Sequence, residues 1–583
     1  MKTKWMVSAK KADFAGLGAE LNIDPVVVRI MRNRGLTTVS EMRDFLDKEN
    51  GVFHDPSLLP DMGKAVDLIL EKISDGASIR IIGDYDVDGV TSTCILYKGL
   101  TSLGGDVSYD IPHRVTDGYG INESMIEQAH ADGIDTIVTC DNGIAATEAI
   151  AKAEEYGMTV IVTDHHEIPY IEEAGSRTYI YPKAQVIMDP KIPECAYPLT
   201  DICGAMVAYK YMLALNDRAG SKNSSEALLA EMKELAALGT VCDVMPLLDE
   251  NRTIVSDALL SMNSSRNVGI RALRRVCGTE NKPVSVHEMG FIIGPCINAT
   301  GRLDSAKLSA ELLLCDDMDE AVLKATELKN LNELRKGYTE QGEAEAVRFI
   351  EESHMEDDKV MIVYLPQLHE SLAGIVAGRI KERYYRPVIV FTDSEDGIKG
   401  SGRSIESYNM YDELNKCREL YTKFGGHAMA AGLSLPRENL ERLRDGLAKN
   451  CTLTEADLVK KVLIDVPMPL GYVTEELIGM IGKLEPFGNG NPKPVFADKD
   501  LKITEVREMG KTGDMCRLTV QDNAGRRHTL VLFNGYRALL EEAASRGHDG
   551  LTGLNVETVY YPEINEYNGR RSIQFLAGEC RIS

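Results

Sequence analysis

Between residues 78 and 245, short runs of strand-forming residues alternate with longer stretches of helical periodicity. The runs Ile79–Gly83, Val107–Ile111, Thr136–Thr139, Thr159–Thr163 and Val186–Met188 predict strands. Thr91–Thr101, Glu123–Ala131 and Ala145–Tyr156 predict the helices that separate most of them. This alternation predicts an α/β fold with a mostly parallel sheet and crossover helices. The first 77 residues read as helical and connective. Asp24 before Pro25 has the form of an N-cap and first-turn proline, and Val66, Ile69, Leu70 and Ile73 share one helical face. Between Ser305 and Glu352 there is no proline, and Leu308, Leu312, Leu313, Ala321, Leu328, Leu331 and Leu334 recur at helical spacing, so long connecting helices are expected. A second α/β segment contains Val360–Tyr364 and Pro387–Phe391. Beyond it, Leu501–Val506, Cys516–Val520, Thr529–Phe533, Val556–Tyr560 and Ser572–Leu576 predict the short strands of a small barrel. The expected division is a helical segment over 1–77, an α/β domain over 78–304, connecting helices over 305–354, a smaller α/β domain over 355–450 and a barrel over 451–583.

Composition narrows the class without changing this picture. Hydrophobic residues at 44% and charged residues at 27% are ordinary for globular protein. No apolar run approaches the roughly 20 residues needed to span a bilayer, and Met1–Met6 lacks the apolar core of a signal peptide. The 12 cysteines are scattered, with no Cys-x-x-Cys pair, as in reduced cytosolic proteins. A cytoplasmic location is expected. The net charge of −25 argues against general coating of nucleic acid, but a confined basic channel remains compatible with it.

Two of the strand runs end in metal-capable side chains. Ile79–Gly83 leads into Asp84-Tyr85-Asp86-Val87-Asp88-Gly89, and Thr159–Thr163 leads into Asp164-His165-His166-Glu167. The carboxyl edge of a parallel sheet is where open α/β folds hold ligands. Carboxylate oxygens with imidazole nitrogens suit Mn²⁺, Mg²⁺ or Zn²⁺ rather than a thiolate-seeking metal. Asp141 also follows a strand run, and Asp243 ends an apolar helix-like run. Asp-x-Asp-x-Asp-Gly also begins a calcium loop, but that loop requires a helix before it and a Glu six residues after its Gly. Here a strand precedes, and Ile95 stands at the Glu position. Each cluster alone is compatible with a solvated turn; together they predict a metal-dependent phosphoesterase.

Asp84-Tyr85-Asp86-Val87-Asp88-Gly89, Asp141-Asn142-Gly143-Ile144, Asp164-His165-His166 and Ala237–Val244 resemble, in order, the four motifs of the DHH phosphoesterase superfamily. Within it the chain resembles the RecJ-like single-strand-specific exonucleases almost end to end. The closer signatures are Ile111-Pro112-His113-Arg114 with Gly118-Tyr119-Gly120, Asn298–Arg302, Gly400–Ser404, Gly425–Gly432 and Leu484–Pro492.

The resemblance implies a DHH domain facing a DHHA1 domain, with an oligonucleotide-binding (OB) barrel at the C-terminus. It implies a two-metal Mn²⁺ or Mg²⁺ site in which Asp86 binds one cation, Asp88, His165 and Asp243 the other, and Asp141 bridges. His166 would contact the scissile phosphate, Asp84 would serve as outer ligand or base partner, and Asp164 would orient an imidazole. Arg302, Ser401 and Arg403 offer donors suited to phosphate, Gly425 and Gly426 allow close backbone approach, and His427 adds a donor. Arg114 would meet a terminal phosphate. Two departures stand out. Ile82 occupies a position where many relatives have a His, which removes one ligand from the first cation. Leu368 replaces a usual Trp, leaving His369 either to reach substrate or to cap a helix. Phe533, Tyr560, Tyr561 and Tyr567 are candidates for base stacking or for the barrel core.

The expected activity is 5′→3′ hydrolysis of single-stranded DNA to mononucleotides in repair and recombination, by a monomer working beside a helicase and single-strand-binding protein. The alternative is an oligoribonuclease or cyclic-dinucleotide phosphodiesterase of the same superfamily, a group that typically lacks the first 77 residues and the barrel.

Overall fold

The structure, a computed structural model, describes residues 3–47, 51–114, 117–173, 176–220, 226–394, 397–510, 513–567 and 569–583. The chain divides into two compact units, one spanning Phe53–Val459 and the other combining Lys2–Val52 with Lys460–Ser583.

The first unit is built on a five-stranded parallel sheet. Its strands, in spatial order, are Asp106–Asp110, Ser78–Ile82, Thr136–Cys140, Thr159–Thr163 and Val186–Met188. These agree with the predicted runs to within a residue or two at each end. The inner strands are largely apolar on both faces because helices cover both sides, whereas the edge strand Asp106–Asp110 mixes polar residues with Val107 and Tyr109. Ile79, Ile81, Val138 and Ile161 join one cluster, with helices Val87–Ser102, Gly204–Arg218 and Glu226–Cys242. Ile82, Ile137, Val160 and Val162 join the other, with Glu123–Ala131 and Thr147–Glu155. The alternation of side chains along each strand sorts them to the two faces.

Beyond the sheet, the expected connecting helices are Lys307–Leu314 and the 35-residue Met318–Glu352. The last leads to a second, mixed five-stranded sheet. Met361–Tyr364 runs parallel to Val388–Ser394, which pairs antiparallel with Gly397–Arg403. Ala430–Leu435 and then Lys423–His427 complete it.

In the second unit, Phe496–Met509, Met515–Gln521, Arg527–Leu532, Arg570–Ile582 and Asn555–Tyr567 form a ring, closed by pairing of the last with the first. Val27, Val28, Ile30, Met31 and Met42 share one core with Phe496, Leu518, Leu530 and Phe575. The N-terminal helices therefore pack with the C-terminal strands, while Val66 and Ile69, also in the first 77 residues, are buried in the first unit. The predicted cap is present: Asp24 accepts from Val26 N–H at 2.8 Å, with Pro25 opening the helix Pro25–Asn33. A strand not anticipated, Lys4–Val7, pairs parallel with Lys461–Ile464. Tyr560 belongs to the core, its hydroxyl donating to Met468 O at 2.7 Å, whereas Phe533 and Tyr567 are exposed. Among the described residues, no helix is long and apolar enough to cross a membrane.

Candidate active site

In the parallel sheet the second strand in sequence lies outside the first, so the strand order reverses between Ser78–Ile82 and Thr136–Cys140. A crevice opens at the carboxyl ends wherever such an order reverses. The paired strands finish level: Ile82 sits beside Thr139, Cys140 beside Thr163, and Thr163 beside Met188. Asp84, Asp141, Asp164 and Asp189 all follow these ends within two residues, and all four are buried.

The loop from Asp84 to Gly89 is tight. A Cβ on Gly89 would lie 2.4 Å from Asp84 O, so only glycine fits there. Asp86 caps the helix Val87–Ser102, its Oδ1 accepting from Asp88 N–H and Gly89 N–H at 3.0 and 3.1 Å. Asp88 is held at the start of another helix, accepting from Gly204 N–H at 2.6 Å and Ala205 N–H at 2.9 Å. Asp141 has φ of +59°, a strained conformation for a residue with a side chain. Asn142 ties this corner down by donating to Ile82 O and Cys140 O.

His165 Nε2 stands 3.0 Å from Asp141 Oδ1, 3.6 Å from Asp88 Oδ2 and 3.7 Å from Asp243 Oδ2. Ligand atoms of Asp88, His165 and Asp243 lie within 4.8 Å of one another, as do those of Asp84, Asp86 and Asp141. Burial pushes the carboxyls of Asp84 and Asp243 up to about 8, with the neighbouring charges of Asp86 and Asp88 adding to the effect. Asp86 and Asp141 are pushed up by burial and then by Asp88. Burial also keeps His165 toward its neutral, ligating form. Asp243 Oδ2 is buried without a hydrogen-bond partner among the described residues. Crowded carboxylates around a neutral imidazole are a donor set that divalent cations relieve.

Asp164 does not belong to either triplet. Its Oδ1 pairs with His166 Nδ1 at 2.7 Å, and its Oδ2 accepts from Ile144 N–H at 2.9 Å. Burial alone would raise this carboxyl, but the hydrogen bond and charge of His166 hold it below its ordinary value. Burial would likewise lower the His166 imidazolium, but Asp164, with the charges of Asp243 and Asp88, outweighs it and raises it to about 9. His166 is therefore held protonated near neutral pH. Tyr119 hydroxyl contacts the His166 ring and donates to Asp141 O at 3.0 Å.

A cavity of about 210 Å³ lies beside this cluster, lined by Arg114, Arg302, Ser371, Ser401 and Arg403, with Lys399 and Glu370 paired at its edge. Arg302 donates to Ser371 O at 2.7 Å, and Arg403 donates to Ser401 Oγ at 3.2 Å. Burial and then the charge of Arg114 lower both Arg302 and Arg403. Among the described residues, no ion pair joins Arg114, Arg302 or Arg403 to a carboxylate. Tyr85 links the two regions: it lies between Asp84 and Asp86, and its ring is 4.7 Å from the Arg114 guanidinium. Three convergent guanidinium groups are suited to bind phosphate.

The DHH family N-terminal domain matches residues 78–240, the DHHA1 domain residues 357–452 and the RecJ OB domain residues 464–578. The single-stranded-DNA-specific exonuclease RecJ of Salmonella typhimurium is 34% identical over 602 residues, covering 99% of both chains. The chain belongs to the RecJ family. The RecJ of Bacillus subtilis is 33% identical, over all of this chain and 71% of the relative. A crystal structure of RecJ in complex with Mn²⁺ from Thermus thermophilus superposes on 100% of this chain and 80% of its own, with TM-score 0.82 and 27% identity.

The structure brings Asp84, Asp86, Asp88, Asp141, His165, His166 and Asp243 to one crevice, and Arg114, Arg302, Ser401 and Arg403 to one cavity. Gly425, Gly426 and His427 lie on an exposed edge strand outside the residues lining that cavity. Gly425 pairs with Gly432, which pairs with Ser401. His369 caps the turn Glu370–Leu372 by accepting from Ser371 N–H at 3.3 Å. Ile82 is wholly buried in apolar packing, and the Asp84 carboxylate is the further oxygen donor beside Asp86 and Asp141. Two further residues gain a place in the site only from the structure. Tyr119, inside the RecJ-like Gly118-Tyr119-Gly120, joins the His166 ring to Asp141 O. Asp189 continues the strand-end rule after Val186–Met188; its Oδ1 accepts from Lys191 N–H at 2.7 Å, and its Oδ2 is buried without a hydrogen-bond partner among the described residues.

Proposed function

We propose that this RecJ-family chain hydrolyses single-stranded DNA from its 5′ end and releases mononucleotides, using Mn²⁺ or Mg²⁺. What most supports the reading is the placement of a buried acid–imidazole cluster beside a three-arginine cavity, joined through Tyr85. Asp86 with Asp84 would hold one cation, Asp88, His165 and Asp243 the other, with Asp141 between them. Cations bound there would lower the pKa of an attacking water and stabilise charge on the attacking and leaving oxygens.

The protein's own groups supply the rest. Arg302, Arg403, Ser401 and Arg114 grip a phosphate and fix the end of the strand. His166, kept protonated by Asp164, donates to an oxygen of the scissile phosphate. Tyr119 fixes the imidazole and the Asp141 backbone together. Gly425, Gly426 and His427 extend the substrate surface to the edge strand, one strand removed from Ser401. Full-length similarity to RecJ relatives gives no support to the alternative of short-oligoribonucleotide or cyclic-dinucleotide hydrolysis. The functional division falls at 1–77, 78–304, 305–354, 355–450 and 451–583. In the cell the chain acts in the cytoplasm as a monomer, beside a helicase and single-strand-binding protein.

Digestion of 5′-labelled and 3′-labelled single strands tests the activity. Immediate release of the 5′ label as mononucleotide, in Mn²⁺ or Mg²⁺ and not in EDTA, is expected. Erosion from the 3′ end, or activity that survives EDTA, contradicts it.

A further inference from the structure

A continuous helical segment, Val286–Leu303, runs past the acidic cluster and contains a π-helical turn at Met289–Ile293. Such turns recur at functional sites. This one packs on the last turn of the helix Glu226–Cys242. Cys242 Sγ donates to Met289 O at 3.6 Å, and a Cβ on Gly294 would lie 2.5 Å from that sulfur. The next residue is Asp243. Farther along, a Cβ on Gly301 would lie 2.4 Å from Tyr85 O, and Arg302 enters the arginine cavity. One helix therefore borders both the acidic cluster and the phosphate pocket.

Its accessible side is narrow. Of residues 291–302, only Phe291, Ile292, Pro295, Asn298 and Arg302 retain solvent access. Phe291, Pro295, Asn298 and Arg302 have the spacing of a single helical stripe. Phe291 and Arg302 are about 16 Å apart along it at the ordinary rise per residue. Phe291 is 69% exposed, yet its ring is oriented: it stacks on His287 with centroids 4.9 Å apart and planes 19° from parallel. The stripe thus begins at a flat aromatic platform and ends at a guanidinium.

We propose that this stripe is a nucleobase track, in which Phe291, backed by His287, stacks on a base of the strand whose terminal phosphate lies at Arg302. The inference rests on the function proposed above and adds a binding subsite to it. Stacking on an aromatic ring tolerates any base, and duplex bases have both faces covered, so the track favours single strands. The separation from Arg302 admits no more than about five nucleotides at the stacked spacing of roughly 3.4 Å, and fewer if the strand is extended.

Steady-state hydrolysis of a 5′-phosphorylated oligonucleotide tests it, with one abasic nucleotide moved stepwise inward from the 5′ end. Phe291→Ala is expected to raise KM about tenfold, and Phe291→Trp to restore it. At one position the abasic nucleotide should raise KM for the wild-type protein by a similar factor and add nothing in Phe291→Ala, because the two changes remove one contact. An unchanged KM in Phe291→Ala overturns the inference, as does additivity of the two changes at every position. If the wild-type protein hydrolyses no single-stranded DNA, it is the underlying activity that fails. Hydrolysis by wild type with Phe291→Ala indistinguishable from it sinks the track alone.

Discussion

Asp84, Asp86, Asp88 and Asp141 come from the ends of two strands that pair in register, whereas Arg114, Arg302 and Arg403 come from segments remote in sequence. Both groups gather like charges, and both are costly to bury without a counter-charge. In the acidic group, Asp86 and Asp88 are fixed by backbone N–H donors from helix starts, Asp84 accepts from Gly120 N–H, and Asp141 pairs with His165. Arg302 and Arg403 are fixed by oxygens of the smaller α/β segment: Ser371 O in the turn Glu370–Leu372, and Gly402 O and Ser401 Oγ on the strand Gly397–Arg403. A cation relieves the first cluster and a phosphate relieves the second. Tyr85, touching both, makes the two into one site.

Substitutions should separate the two halves by the size and kind of their effect. Asp141→Ala, in the acidic half, is expected to lower kcat by roughly a thousandfold or more. That exceeds the ~10–100-fold typical of residues that only orient a metal ligand. Asp164→Ala should fall within that smaller range, measured as kcat on the same single strand, because it positions His166. Arg114→Ala should instead act mainly on KM, raising it roughly tenfold to a hundredfold for 5′-phosphorylated strands, as loss of a charged hydrogen bond does. If Arg114→Ala lowers kcat as Asp141→Ala does, the division of labour is wrong. Tyr119→Phe removes the hydroxyl's bond to Asp141 O and its contact with the His166 ring, and should cost about tenfold or less in kcat.

A pH experiment probes the acidic half without substrate. In EDTA, the folded protein keeps Asp84 and Asp243 protonated up to about 8, while the unfolded chain loses those protons near 3.8. The folded state then binds more protons across that window, so raising the pH from about 5 to 8 should lower the melting temperature. Added Mn²⁺ should oppose the loss. A melting temperature in EDTA that rises over the same window would show that the cluster is not under this strain.

Most of the acidic half was legible because Asp84, Asp86, Asp88, Asp141 and His165 follow strand runs in contiguous motifs, and the parallel arrangement carries them to one edge; Asp243 instead follows a helix. The strands themselves were legible because sheets covered on both faces are written as unbroken apolar runs. The arginine cavity was not legible from periodicity or spacing: nothing local joins residues 114, 302 and 403, and only the family resemblance grouped them. Asp189 escaped because a single Asp before Pro190 reads as a turn, although it obeys the same strand-end rule as Asp141. The shared core of Val27 and Met31 with Phe496 and Leu530 escaped for a different reason, since helical periodicity names a buried face but not its distant partner. Tyr560 and Phe533 both suit a stacking role by residue type, and only their burial separates them.

Anomalous diffraction from crystals soaked in Mn²⁺ tests the central claim most directly. With a 5′-phosphorylated single strand bound, two peaks are expected, one among Asp88, His165 and Asp243 and one among Asp84, Asp86 and Asp141. Without the strand, the second peak should be the weaker, because Ile82 supplies no ligand there. Absence of any peak within the cluster, or peaks that persist unchanged in an Asp141→Ala, His165→Ala protein, would contradict the account.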